Sequence, residues 1–176
     1  MKIIGFRHKN PGQGLGPQDW VMEVKGDSAL LNQRKPLFLP DWTNDVRYTP
    51  AVMVRICRLG KHIQSKFATR YYDAIAPAMD VVAWDKLAED PALAVSWDGS
   101  FVTGEASLPS DKSETLSPKG AREDISEQEI CEAIARASEA MTLRMGDMIF
   151  VDRDIEPIPL KAEDVVEDGS LYCKVK

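Results

Sequence analysis

The alternating acids Asp152, Asp154 and Glu156 are one set of side chains in this sequence that could do chemistry. On a β-strand, side chains two positions apart point to the same face, so the three carboxylates would stand side by side. Oxygen ligands in that arrangement suit a hard cation such as Ca²⁺. The alternative is an acidic strand edge in contact with solvent, and this interpretation is favoured.

Histidine and cysteine are too few and too scattered to indicate a site. The histidines are His8 and His62, so neither a zinc centre nor a histidine-based catalytic triad is expected. The cysteines are Cys57, Cys131 and Cys173, and their spacing is not that of metal ligands. Buried free thiols are therefore predicted.

A glycine-rich run, PGQGLGP at residues 11–17, resembles in composition the loops that bind dinucleotide phosphates. Such a loop must lead directly into a helix, whereas Pro17 and the residues after it show no helical pattern. The sequence therefore predicts a flexible surface loop here and no nucleotide site.

Length and composition indicate one domain. The chain has 176 residues, of which 44% are hydrophobic, and this is enough for a single domain (1–176) with a hydrophobic core. It contains no run of about 18 apolar residues and no signal-peptide pattern. A cytoplasmic protein without a membrane segment is expected.

The net charge of −6 is unevenly distributed. Residues 1–72 contain 12 Lys and Arg against 5 Asp and Glu, whereas residues 73–176 contain 10 against 23. The favoured interpretation is a basic and an acidic face, both in solvent; the alternatives are attraction of an anionic ligand or pairing of two copies with opposite charges facing. Nucleic-acid binding is not expected, because the basic residues are dispersed and the total is acidic.

The segments that would position these side chains are mostly β-strands. Runs of β-prone residues predict strands at 2–6, 21–24, 52–57, 80–84 and 148–151. Near the C-terminus, Asp168-Gly169 between two apolar pairs predicts a hairpin that closes the sheet.

Two short helices complete the pattern. Ile63, Phe67 and Tyr71 recur every four residues, as on the apolar side of a helix. Residues 126–129 (SEQE) are a capping box, and they open a second helix with an apolar stripe formed by Ile130, Ala133, Ile134, Ala137 and Met141. The polar residues 105–125 between these helices predict a poorly ordered loop.

Residues 34–85 carry a specific resemblance, in the run RKPLFLPDWTNDVRYTPAVMVRICRLGKHIQSKFATRYYDAIAPAMDVVAWD. This run resembles the fumarylacetoacetate hydrolase family, and its RLGK and YYD segments resemble the 2-hydroxyhepta-2,4-diene-1,7-dioate isomerase-like branch. The run MTLRMGDMIF at 141–150 is similar to the family's F-T-L-K-x-G-D-L-I-F. The resemblance covers residues 25–104 and 126–150. It implies an α+β, mainly β fold, a mixed β-roll with short helices, preceded by a variable segment at 1–20 and interrupted by the 105–125 loop.

The resemblance also indicates where a metal would lie. In the family, two glutamates of an E-x-E motif and one aspartate hold Mg²⁺ or Mn²⁺, and the matching positions here are Thr49, Ala51 and Asp80. A hard cation with one carboxylate ligand would be held mainly by water and bound weakly, so neither a metal site nor a cofactor is expected. Asp80 is interpreted as a relic held by backbone or arginine hydrogen bonds. Pro50, which lacks a ladder donor, favours a sheet edge or a bulge.

Other functional positions of the family pattern are changed too. The family's lysine before its F-D-G segment falls on Val95, and the arginine of its A-R-D falls on Trp84. Its small-residue loop T-G-T-P-A-G becomes VDRDIE at 151–156. Because charge is lost and apolar bulk is added, Thr49, Ala51, Trp84 and Val95 are predicted to form a closed, mostly shielded neighbourhood around Asp80.

Two cations of the family pattern are retained. Arg7 matches the arginine of R-N-Y, and Lys25 matches the lysine of K-P-D-S-A-L-L. Arg7, Lys25 and Asp80 are therefore the candidate residues for binding a small anionic ligand. For Arg7 and Lys25 the favoured alternative is a solvated surface cation.

The predicted function is that of a fumarylacetoacetate hydrolase-like pseudoenzyme, a non-catalytic protein that binds a ligand or a partner. The alternative is an active hydrolase, decarboxylase or isomerase of the family, acting on a small 2-oxo or diketo acid. The family reaction needs a metal that polarises a 2-oxo-carboxylate and a base that moves a proton, and this sequence lacks candidates for both. A homodimer is expected, because family members commonly pair through this domain.

Overall fold

A computed structural model describes residues 1–31, 35–107 and 125–176. Within these ranges, eight strands form one sheet with the order β2-β1-β7-β4-β5-β6-β3, and β8 pairs with β4 off this path. The strands are β1 (Ile3–His8), β2 (Trp20–Lys25), β3 (Leu30–Leu31), β4 (Val46–Ile56), β5 (Tyr72–Ala83), β6 (Phe101–Thr103), β7 (Met148–Asp152) and β8 (Ile158–Pro159). A separate hairpin consists of β9 (Val165–Asp168) and β10 (Leu171–Lys174).

The sheet is mixed. β1 runs parallel to β7 and β3 runs parallel to β6, whereas the remaining neighbours are antiparallel. The α-helices of the described chain are α1 (Pro91–Val95) and α2 (Glu127–Ala140), alongside short 3₁₀ turns. The predicted mainly β, mixed architecture with short helices is confirmed.

The two faces of the sheet carry different cores. One face packs against α2 and against the β9–β10 hairpin. The opposite face carries a smaller apolar cluster around Phe101 and Phe150, whose rings stack with centroids 4.6 Å apart. Gly5 is needed beneath Phe150, because a Cβ at this position would lie 2.1 Å from the ring. The charged residues of the candidate site lie on this second face.

Helix α2 begins as the capping box predicts. The Ser126 side chain accepts from the backbone N–H of Glu129, and the Glu129 carboxylate accepts from the backbone N–H of Ser126. The predicted stripe is buried from Ile130 to Ala137, and Met141 is half-buried at the helix end. No helix in the part of the chain that the structure describes is long and apolar enough to cross a membrane.

The helix predicted from Ile63, Phe67 and Tyr71 is wrong. The chain forms a 3₁₀ turn at Ser65–Arg70, and Phe67 is 41% exposed. A 3₁₀ turn has three residues per turn, so side chains four apart do not share a face.

The hairpin at Asp168-Gly169 is confirmed, but its predicted role in closing the sheet is wrong. β9 and β10 pair with each other and not with the main sheet. Directly after β10, Val175 forms an isolated parallel β-bridge with Leu37. Leu171 and Cys173 pack instead across the apolar core of the main sheet. The predicted polar loop at 105–125 lies mostly outside the described residues.

Pro50 lies inside the central strand β4, so its predicted place at an edge or bulge is wrong. Its carbonyl accepts from the backbone N–H of Arg153, just beyond the last pair between β4 and β7, Ala51 with Asp152. In an antiparallel ladder the carbonyl and N–H of one residue point to the same side. The missing donor of Pro50 therefore faces Arg153, beyond the paired part of β7, and the Arg153 carbonyl accepts instead from the backbone N–H of Ile155.

None of the three cysteines, all within the described ranges, forms a disulfide, and the predicted burial is confirmed for two of them. Cys131 and Cys173 are buried, whereas Cys57 is half-buried.

Candidate functional site: a buried lysine among carboxylates

Lys25 is the centre of the site. Its side chain is fully buried, and its ammonium lies 2.7 Å from Asp80 Oδ1 and 3.7 Å from Glu23 Oε1. It also donates to the backbone carbonyls of Val95 at 2.5 Å and Ser100 at 3.3 Å. The alternative interpretation of Lys25 as a solvated surface cation is therefore wrong.

Strand register places Asp80 where the sequence resemblance predicts a metal ligand. Asp80 on β5 lies directly opposite Thr49 on β4, and Ala51 lies two residues along on the same face. Asp80 is fully buried, and the ammonium that approaches it lies outside hydrogen-bond geometry. Its charged partner is Lys25, so the predicted support by backbone or arginine hydrogen bonds is wrong.

Arg7 and Glu23 extend the charged network along β1 and β2. Alternation places Arg7, Glu23 and Lys25 on the face of the sheet that carries Asp80. Arg7 Nε donates to Glu23 Oε2 at 3.5 Å, and the Arg7 side chain is 14% exposed. The structure thus brings together all three predicted candidates, Arg7, Lys25 and Asp80, through Glu23.

Asp152 is a third buried carboxylic acid of this face. It ends β7 opposite Ala51, at the position of a glycine in the family's T-G-T-P-A-G loop. It is 1% exposed, and neither carboxyl oxygen has a hydrogen-bond partner within the described structure. We call Glu23, Lys25, Asp80 and Asp152 the lysine–carboxylate cluster.

Charge balance favours a proton in this cluster. Three carboxyl groups face two cations, Lys25 and Arg7, so one bound proton would make the group neutral. Burial, followed by the Asp80 and Glu23 carboxylates, raises the pKa of Asp152 well above its ordinary value. Burial and the Asp80 carboxylate raise the pKa of Glu23 to about 7. Asp152 and Glu23 therefore hold a proton to higher pH than ordinary carboxyl groups do.

A cavity of about 250 Å³ lies beside the cluster. Arg7 and Glu23 form its polar wall, and Val95 lies where the resemblance predicts the family's lysine. The rest of the lining is mostly apolar and comes from β2, α1 and Leu87. The cavity can accept a small molecule with an acidic group near Arg7, but it offers no lysine to the bound molecule.

The predicted closed neighbourhood around Asp80 is confirmed for three of four residues. Thr49 and Val95 are each 5% exposed and Ala51 is fully buried. Trp84 is half-buried, and its ring lies under the Arg47 guanidinium at 5.2 Å. Its predicted shielding is met in part: Trp84 packs against the cluster that contains Val95, and the 3₁₀ turn that begins at Trp84 leaves the rest of the side chain in solvent.

The three alternating acids do not form one edge. Asp152 points into the site, whereas Asp154 accepts from the backbone N–H groups of Gly12 and Gly14 at 2.6 Å each. Glu156 is exposed. The chain leaves the strand after Asp152, so the period of two no longer applies, and both interpretations of these acids as a set are wrong.

Two residues of the cluster were missed by sequence reasoning. The strand predicted at 21–24 contains Glu23, and Glu23-x-Lys25 places an acid and a base on one strand face. Asp152 was grouped with its sequence neighbours. A charged residue at a position where the family has glycine was the available signal.

Known structures share this architecture over nearly the whole chain. The 2-hydroxyhepta-2,4-diene-1,7-dioate isomerase from Mycobacterium marinum superposes with a TM-score of 0.82 at 20% identity, over 99% of this chain and 73% of that one. A protein of Yersinia pestis CO92 assigned to the fumarylacetoacetate hydrolase family gives 0.80 at 16% identity, over 99% and 92%. The chain has the fumarylacetoacetate hydrolase fold.

A third structure with this fold contains a metal. The fumarylpyruvate hydrolase from Pseudomonas aeruginosa, in complex with Mn²⁺ and pyruvate, superposes with a TM-score of 0.77 at 16% identity, over 99% of this chain and 88% of that one. No protein-family model matches the present sequence, and no curated protein is similar to it in sequence. These likenesses therefore establish the fumarylacetoacetate hydrolase fold.

A divalent cation of that kind does not fit the side chains present here. Thr49 and Ala51 supply no carboxylate, and the Lys25 ammonium already lies against Asp80. Within residues 1–31, 35–107 and 125–176, no group of three or more His, Cys, Asp or Glu side chains is arranged to hold a metal ion. In this chain, the cation beside Asp80 is the Lys25 ammonium.

Proposed function

We propose that this chain belongs to the fumarylacetoacetate hydrolase family and has lost its metal-dependent catalysis, so that it serves as a binding protein for a small anionic ligand. The observation that carries the proposal is the Lys25 ammonium at 2.7 Å from Asp80, with both side chains fully buried. A divalent cation at this position would be repelled by the ammonium, and two of the three carboxylates of the family pattern are absent, at Thr49 and Ala51.

The cavity beside the cluster supports ligand binding without the family reaction. Arg7 offers a guanidinium that is held by Glu23 but still partly exposed. A carboxylate of the ligand can pair with Arg7 when Glu23 carries a proton, which its pKa of about 7 allows near neutrality. Val95 stands in place of the family's lysine, so the bound molecule meets an apolar wall there.

Metal titration tests this proposal. Mg²⁺ and Mn²⁺ are expected to show no saturable binding below about 1 mM, because Asp80 is already paired with Lys25 and the described carboxylates are not arranged as a metal-binding group. Isothermal titration calorimetry of the wild type and of Asp80→Ala measures this directly. Micromolar binding that disappears in Asp80→Ala would contradict the proposal and would favour an enzyme acting on a small 2-oxo or diketo acid.

We further infer that the protein is a cytoplasmic homodimer. The basic first part and acidic second part of the chain provide opposite charges that two copies can bring together. Light scattering at micromolar protein concentration and moderate salt should give twice the 19.6 kDa chain mass. A mass of one chain under these conditions would count against the dimer.

A further inference from the structure

A second cavity opens on the face of the sheet opposite to Asp80. Pro50 and Met79 form the register pair next to Thr49 and Asp80, so they point to the other face. The cavity has a volume of about 230 Å³ and lies between this part of the sheet and the β9–β10 hairpin. Its wall is part apolar and part polar: the apolar part includes Pro50, Met79, Val166 and Leu171, and the polar part includes Arg153, Glu167 and Asp168.

Arg153 is the cation that lines this cavity. Its side chain is 8% exposed, and its Nη2 lies 3.2 Å from Asp168 Oδ2. Within the described structure, neither Nη2 nor Nε has a hydrogen-bond partner. A guanidinium has five N–H donors, and leaving buried donors unpaired costs free energy. Arg153 is thus a buried cation whose hydrogen-bonding capacity is largely unused.

We propose that this cavity is a ligand site that binds a small monocarboxylate with an apolar body. The planar guanidinium of Arg153 can hold a carboxylate through two parallel hydrogen bonds, which a single contact with Asp168 does not use up. The apolar body would contact Met79, Val166 and Leu171, which line the cavity and also belong to or pack against the neighbouring apolar core. The site is separate from the lysine–carboxylate cluster and does not depend on the function proposed for it.

The acidic residues of the hairpin favour a ligand with a single negative charge over a dianion. Glu167 and Asp168 also line the cavity, so a dianion such as phosphate would be repelled more strongly than a single carboxylate. Burial, followed by the carboxylates of Asp164 and Asp168, raises the pKa of Tyr48. The Tyr48 phenol therefore stays neutral at physiological pH and adds no negative charge to the wall.

Benzoate, benzamide and benzylamine are probes of similar size that differ in charge. In calorimetric or NMR titrations of the full chain, benzoate is expected to bind at least about tenfold more tightly than benzamide or benzylamine. Arg153→Met should weaken benzoate binding about tenfold or more. Arg55→Met should leave it unchanged, because Arg55 is exposed and pairs with Asp73 away from the cavity.

Asp168→Asn keeps the test decisive if Arg153→Met does not fold. It removes the anion that competes for Arg153 and should tighten benzoate binding severalfold. Equal binding of benzoate and benzamide, preference for benzylamine, or no benzoate binding at about 10 mM would overturn the proposal. Loss of benzoate binding in Arg7→Met, with binding retained in Arg153→Met, would assign benzoate to the other cavity and overturn it as well.

Discussion

Lys25→Met is expected to lower the free energy of unfolding by about 3–5 kcal/mol, because it removes the cation from a buried ion pair and leaves carboxylates without compensation. Lys25 and Asp80 are both fully buried, so water cannot replace the lost partner. Methionine keeps most of the side-chain volume, so the loss reports charge and hydrogen bonding more than packing. Urea unfolding at pH 7, followed by circular dichroism, measures the change.

Two further variants separate the ion pair from a general effect of losing a lysine. Lys174→Met removes an exposed lysine that pairs with Glu163 at 3.4 Å, and it should change stability by less than about 1 kcal/mol. Lys25→Met combined with Asp80→Asn should recover at least about 1 kcal/mol relative to Lys25→Met alone, because the unpaired charge is removed. A Lys25→Met loss as small as that of Lys174→Met would show that the ammonium is not a structural cation.

Restoring the family's glutamates is expected to destabilise the protein. Thr49→Glu with Ala51→Glu adds two carboxylates to a shielded face that already holds Asp80, and it forces larger side chains into positions that are 5% and 0% exposed. Unpaired buried charge and overpacking together should lower the free energy of unfolding by about 4 kcal/mol or more. Thermal and urea unfolding, each with and without Mg²⁺, measure the effect.

A glutamate on an exposed strand provides the control. Val165 is 49% exposed and lies opposite Lys174 in the hairpin, so Val165→Glu should change stability by less than about 0.5 kcal/mol. The double variant is not expected to gain catalysis, because Val95 and residues 151–156 still differ from the family pattern. Tight Mg²⁺ binding at undiminished stability would show that the face carrying Thr49 and Asp80 is open, and would favour an enzyme.

Sequence signals predicted local structure correctly where residues a few positions apart provide the hydrogen bonds or the backbone conformation of that structure. The Ser126 capping box and the Asp168-Gly169 turn are such cases, since their hydrogen bonds or their glycine conformation span only a few positions. The same local logic failed at Phe67, because the repeat of four indicates an α-helix, whereas the segment forms a 3₁₀ turn in which side chains four apart do not share a face. It also gave no information about which surface the hairpin would cover.

The fold class and the loss of carboxylates at Thr49 and Ala51 follow from the residue pattern, because family motifs and side-chain chemistry are properties of the amino-acid sequence. The groups that lie beside Asp80 do not follow from it. Lys25 reaches the Val95 carbonyl across 70 positions of the chain, and Asp152 arrives from another strand. Strand order and register bring these groups together, and the exclusion of water on the covered face then turns ordinary surface residue types into a buried, proton-holding cluster.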